Sequence, residues 1–184
     1  MWGIELGLRT AARGAGIGLL LLLGMALGRP ATAQVTIGSP GDPPRFAIGG
    51  GAFDVLPNAH KTGHGAVGLV SAEYRFGDTF GIFSPFMGAM GTGKGAVFVY
   101  VGFGFDINFP YNFVLTPSFS GGYFNGGNGI NLGYWWEFRS GAELDYRFLN
   151  NRRLGVGFYH ISNAGRGNKD PGAELATVVL TAPF

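Results

Sequence analysis

Cysteine is absent from the 184 residues. That excludes a disulfide framework, a thiolate metal site and a thiol nucleophile. Charge is scarce too: Asp, Glu, Lys and Arg make up 13% of the chain, about half of the roughly 25% usual in soluble domains. Beyond residue 34 the sequence has no run of the ~20 uninterrupted apolar residues that a transmembrane helix requires. What the chain does have is glycine, 35 residues of it, and aromatic side chains at 15%. Low charge, abundant aromatics and no spanning helix together point to strands in a membrane.

The N-terminus reads as a targeting signal. Arg9 and Arg13 form a basic region, Gly16 to Gly28 ("GIGLLLLLGMALG") an apolar one, and Ala31-Thr32-Ala33 supplies the small residues of a cleavage site. A single-pass anchor would need a longer apolar stretch. Residues 1–33 are therefore expected to be a signal peptide, and residues 34–184 a single outer-membrane β-barrel domain. The leader contains Arg9, Arg13, Arg29 and Glu5, so 13 basic and 11 acidic residues fall to 10 and 10 without it. The mature chain is neutral, and its charge implies no nucleic-acid partner.

From Pro44 onward the apolar pattern repeats every two residues. Tyr134, Trp136, Phe138, Ser140, Ala142, Leu144, Tyr146 and Phe148 share one face, and Glu137, Arg139, Glu143, Asp145 and Arg147 the other. Eight strands are expected near 44–56, 64–76, 80–91, 94–109, 111–124, 131–148, 152–162 and 172–184. Many exceed the five or six residues of globular strands and match the ~9–11 needed to cross a bilayer at a tilt. The connections "GDT", "PYN" and "LNNR" are tight, whereas "PNAHKTG", "NGGNG" and "NAGRGNKDP" are longer or glycine-rich. Short turns at one end and longer loops at the other are the outer-membrane pattern. The expected fold is thus all-β, an eight-stranded antiparallel transmembrane β-barrel. Its narrow interior would be filled by side chains, with Glu73, Arg75, Asp106, Glu137, Arg139, Glu143, Asp145 and Arg147 as a paired polar core.

Against that pattern, "GFYHISNAGRGNKDPGAE" (157–174) carries three polar residues on an apolar face. Leu154, Val156, Phe158, His160 and Ser162 share parity in the seventh strand, as do Glu174, Ala176, Val178, Leu180, Ala182 and Phe184 in the eighth. His160, Ser162 and Glu174 are therefore expected to face lipid. A hairpin register with His160 opposite Glu174 puts Ser162 opposite Gly172 and leaves Asn163 to Pro171 as the loop. Directly opposed residues have Cβ atoms about 5 Å apart, so Glu could orient the imidazole, His take the hydroxyl proton and Ser attack a carbonyl. With both termini periplasmic, the seventh strand ends near the extracellular rim, at the level of lipopolysaccharide.

These residues resemble a known family, the outer-membrane lipid A 3-O-deacylases (PagL-like proteins). The resemblance is carried by "FYHISN" (Phe158 to Asn163) followed by "PGAE" (Pro171 to Glu174), and upstream it is one of architecture alone. It implies hydrolysis of the ester-linked 3-hydroxyacyl chain at position 3 of lipid A in the outer leaflet. Ser162 would be the nucleophile, His160 the general base and then acid, and Glu174 its orienter. Asn163 would contribute to an oxyanion hole through its side-chain amide, with the Gly165 backbone N–H as a second donor. No metal or cofactor is required. The expected partners are lipid A or lipopolysaccharide as substrate and the surrounding outer-membrane lipids, with a homodimer left open.

Weaker signals stand beside this one. His60 and His64 lack the helical spacing and nearby carboxylates of a metal site. Arg166 and Lys169 would either attract lipid A phosphates or serve as solvated loop charges. Two rival functions share the architecture. One is a non-enzymatic barrel with an adhesion or membrane-stabilising role. The other is a lipid A acyltransferase, which would need an acyl slot inside a lumen that reads as charged.

Overall fold

The computed structural model describes residues 34–56, 65–77 and 80–184; the expected leader and the His60/His64 pair lie outside them. Among the described residues ten strands follow one another: β1 (Thr36–Ile37), β2 (Arg45–Phe53), β3 (Val67–Arg75), β4 (Ser84–Thr92), β5 (Val97–Gly104), β6 (Ile107–Asn108), β7 (Phe113–Asn125), β8 (Trp136–Arg147), β9 (Arg153–Ser162) and β10 (Ala173–Pro183). The eight long ones pair in the order β7-β5-β4-β3-β2-β10-β9-β8, and β7 pairs again with β8 from Phe113↔Tyr146 to Tyr123↔Trp136. That ladder closes the sheet into an eight-stranded antiparallel barrel. Closure pairs the backbone groups that lipid cannot satisfy.

All eight expected strands are present, with two instructive differences. The expected strand 94–109 is interrupted at Phe105 and Asp106, because the Asp106 carboxylate turns to accept hydrogen bonds from Arg153, Ser39 and Thr116. After that step β6 forms a small ribbon between β1 and the start of β7. It lies at the end of the barrel where β2 begins and β10 ends, the terminal end. The expected strand 131–148 starts only at Trp136, so residues 126–135 belong to a loop at the opposite, loop end.

Alternation sorts the side chains. Phe46, Ile48, Val70, Met87, Val99, Val101, Leu144, Val156, Phe158, Val178 and Leu180 stand exposed on the outer wall. Aromatic clusters mark both ends: Phe46, Tyr74 and Phe184 at the terminal end, and Tyr123, Tyr134, Trp135 and Trp136 at the loop end. An apolar band between aromatic girdles is the surface of a membrane barrel.

The interior is layered rather than uniformly polar. Beneath the loops, Phe53, Leu69, Met90, Phe98, Phe124, Ile130, Leu132, Ile161 and Leu175 form a buried apolar plug. Below it Arg75 binds Glu143 through both terminal nitrogens at 2.9 Å and also reaches Glu73. Arg139 donates to Glu73 at 2.7 Å and to the Tyr100 hydroxyl at 3.0 Å, and its guanidinium lies over the rings of Tyr100 and Tyr159. Toward the terminal end Arg153 contacts Asp106 at 2.7 Å and Asp42 at 3.0 Å. Glu137, fully buried at the start of β8, stands outside this network of ion pairs. The lumen is a packed core, leaving the outer wall and the loop end as the surfaces for function.

Buried ion pairs are costly to break singly, because the survivor is left charged and unpaired. Glu73→Ala, which strands Arg139, should lower the unfolding free energy in bilayers by about 3–5 kcal/mol, measured by urea titration. Asp106, in the connection beyond β5, offers a pH test. Burial opposes its charge, but Arg153, Arg45 and Ser39 outweigh burial and hold the carboxyl below its ordinary range. A depressed folded pKa contributes stability that is complete above the ordinary carboxyl value and lost as pH falls through the folded one. Asp106→Asn should therefore be less stable at pH 7 and lose less on acidification below about pH 4, read from urea midpoints across pH.

Candidate active site

The β9–β10 hairpin holds the site. Its register pairs His160 with Glu174, Phe158 with Ala176 and Ile161 with Ala173. Tyr159, Ile161, Ala173 and Leu175 are buried in the plug, so His160, Ser162 and Glu174 fall on the outer face by strand alternation. His160 Nδ1 lies 3.2 Å from Glu174 Oε1, with the imidazole side chain 46% exposed and the carboxylate 18%. A carboxylate accepts, so this contact assigns the Nδ1–H tautomer to a neutral ring and leaves the Nε2 lone pair for a proton.

The other edge of the ring rests over Gly172, whose φ is +61°. A Cβ built there would come within 2.6 Å of His160 Cε1 and 3.3 Å of Nε2. The absence of a side chain at position 172 gives the imidazole its seat. Ser162 follows two residues along the same face, about 6.5 Å away by strand geometry, half-buried beside Phe138 of β8. A hydroxyl, an imidazole and a carboxylate in line on one wall can perform nucleophilic acyl transfer, with the carboxylate orienting the base.

Comparison with known proteins identifies the family. The model of the lipid A 3-O-deacylase (PagL) family matches residues 55–183. The chain belongs to this family. Among solved structures, the crystal structure of the outer membrane enzyme PagL is similar with a TM-score of 0.58 at 16% sequence identity, over 76% of this chain and 99% of that one. At that identity the likeness shows the fold. The backbone structure of the Yersinia pestis outer membrane protein Ail in a phospholipid bilayer nanodisc is similar at 10% identity and a TM-score of 0.46, over 76% of this chain and 99% of that one. A search of curated proteins finds no match. As a PagL-family member with an apolar-walled barrel, the protein is an outer-membrane protein.

The remaining residues expected at a PagL site are placed differently from one another. Asn163 points inward and is fully buried. Its side-chain amide donates to the carbonyls of Leu132 and Lys169, each at 2.7 Å, and its Oδ1 accepts from the Gly167 N–H. Both amide donors are thus committed to tying the two loops together, and the expected amide contribution to an oxyanion hole has no free donor here. The Gly165 N–H does lie at the exposed turn, where it donates to Asp170 Oδ2 at 2.9 Å. Arg166 turns back over the Phe138 ring at 5.1 Å from its centroid, which brings a cation to the wall beside Ser162. Sequence reading passed over Asp170. Its position before Pro171 and Gly172 marks a turn residue, and only the folded loop shows what its carboxylate reaches.

Gly172→Ala tests the seat of the imidazole. The added methyl group should displace His160 and slow ester hydrolysis by about a hundredfold, as expected for a misplacement near 1 Å. Alanine at a φ of +61° also costs about 1–2 kcal/mol of backbone strain, so retention of the folded barrel is checked alongside by heat-modifiable migration on gels.

Proposed function

We propose that this protein is a lipid A 3-O-deacylase in which Ser162, His160 and Glu174 form the catalytic triad. The observation that carries this reading is the His160–Glu174 contact on the lipid-facing wall, with Ser162 on the same face. Ser162 Oγ attacks the carbonyl of the ester-linked 3-hydroxyacyl chain while His160 Nε2 takes its proton. The imidazolium, held by Glu174, then protonates the departing 3-oxygen of the sugar. Water, activated by the same His160, releases the fatty acid and restores Ser162. Backbone N–H groups at the start of the β9–β10 loop stabilise the oxyanion.

Location supports the substrate. The site lies at the loop end, which faces the outer leaflet if both termini are periplasmic, and polar residues near the membrane interface cost little there. An ester of a membrane lipid then reaches Ser162 by lateral diffusion along the wall. Arg166, held over Phe138, offers a guanidinium to lipid A phosphates near the serine. The packed interior, with Phe98, Tyr100 and Ile161 buried, leaves the outer wall for the acyl chain.

Mass spectrometry of lipid A from cells expressing the wild-type chain should show the loss of one 3-hydroxyacyl group. Ser162→Ala at equal barrel abundance should retain it, with the rate on detergent-solubilised lipid A lowered by at least ~10³-fold. Intact lipid A under both conditions with folded wild-type protein would refute the reading and favour a non-enzymatic barrel.

A further inference from the structure

We propose that Asp170 is a built-in anion that occupies the backbone oxyanion cradle beside Ser162 in the resting protein and leaves it when an ester carbonyl enters. The proposal rests on the deacylase reading above and adds a residue that restrains it. The cradle is built by the turn that follows the serine. Ala164 and Gly165 have φ of +56° and +73°, and the Arg166 N–H closes the turn onto the Asn163 carbonyl at 3.2 Å. That left-handed step turns the N–H groups of Asn163 and Gly165 onto one ligand, as the backbone donors of a turn can do in anion-binding concavities.

The ligand is the Asp170 carboxylate. Its Oδ1 accepts from the Asn163 N–H at 3.2 Å and its Oδ2 from the Gly165 N–H at 2.9 Å. These donors belong to the first and third residues after Ser162. The N–H of the residue after a nucleophile recurs as an oxyanion donor in serine hydrolases. A carboxylate and the oxyanion of a tetrahedral intermediate present the same demand, a negative oxygen for convergent N–H groups, so the two compete.

The surroundings allow the exchange. Asp170, Ala164 and Gly165 are all exposed, and a Cβ built on Gly165 would meet no atom within 4 Å. Open space therefore adjoins the donors, and the Asp170 side chain can swing into solvent. Asn163, anchored by its amide to Leu132 and Lys169, holds the base of the turn while the carboxylate moves. A deacylase built this way loses part of its oxyanion stabilisation to its own loop until a well-seated substrate displaces Asp170.

The test uses the refolded full barrel in detergent as wild type, Asp170→Ala, Asp170→Asn and Ser162→Ala. Each is treated with an alkyl fluorophosphonate, and the mass gained is followed on the intact protein. Ser162 Oγ forms the new P–O bond, fluoride leaves, and the serine proton passes to His160, while the phosphonyl oxygen takes the oxyanion's place. Asp170→Ala should be labelled about three- to tenfold faster than wild type, the range expected for removing competing hydrogen bonds at an exposed site. Lipid A deacylation in mixed micelles should rise in parallel. Asp170→Asn keeps an acceptor without the charge and should fall between the two; it decides the matter if the alanine variant does not refold.

Equal or slower labelling of folded Asp170 variants would overturn the proposal, and slower labelling would identify Asp170 as a brace for the loop. If wild type deacylates lipid A but the Asp170 variants gain nothing, this inference alone fails. If wild type neither deacylates lipid A nor takes label at Ser162, the deacylase reading fails and takes this inference with it.

Discussion

In hydrocarbon, an unpaired backbone N–H or C=O costs several kcal/mol, and the ladder between β7 and β8 that closes the sheet is the constraint on which everything else depends. Once the ring is closed, each strand has an inside and an outside with no freedom to rotate. Moving one strand by a single residue would send its whole inner row into lipid and its outer row into the core. Closure thus converts a period of two along the chain into a radial sorting of chemistry.

The inward rows use that sorting in two ways. Toward the loops they interlock apolar side chains around Phe98, Ile161 and Leu175, and toward the middle they pair Glu73 and Glu143 with Arg75 and Arg139. The apolar plug stiffens the end of β9 and β10 from beneath, because Ile161 and Leu175 belong to the same hairpin as His160 and Glu174. A side chain held between two fully buried neighbours has little freedom at its backbone, so the outer-wall dyad inherits the rigidity of the plug. Asn163 continues that anchoring into the loop through the carbonyls of Leu132 and Lys169.

The outward rows face the opposite problem, a polar constellation on a lipid wall. The penalty for polar groups falls toward the membrane interface, and the hairpin meets it by setting Ser162, His160 and Glu174 at the loop end of the barrel. The glycine at position 172 then solves a local problem of space: with φ at +61° and no side chain, it leaves room for the imidazole beside Glu174. The same loop places the Arg166 guanidinium over Phe138 and the Asp170 carboxylate on the Asn163 and Gly165 N–H groups. A cation, an anion and a serine therefore lie within one turn of chain.

Strand content, the alternation of faces and the His160–Glu174 register follow from local pattern, since parity and loop length leave few ways to pair 152–162 with 172–184. The break at Asp106 was not legible, because it answers to Arg153 and Ser39, partners far away in the chain. The apolar plug was hidden for a related reason: Phe98, Ile161 and Leu175 lie on strands apolar on both faces, where alternation carries no signal. Asn163 illustrates the limit most plainly. The family resemblance implied an amide donor to the oxyanion, yet one carbonyl from the 126–135 loop and one from its own loop, those of Leu132 and Lys169, take both amide hydrogens. The sequence by itself determined which residues share a face, because side-chain direction alternates with every peptide unit. Which donors are spent and which carboxylate fills a cradle were decided by the tertiary structure, because those choices depend on atoms brought together from separate loops.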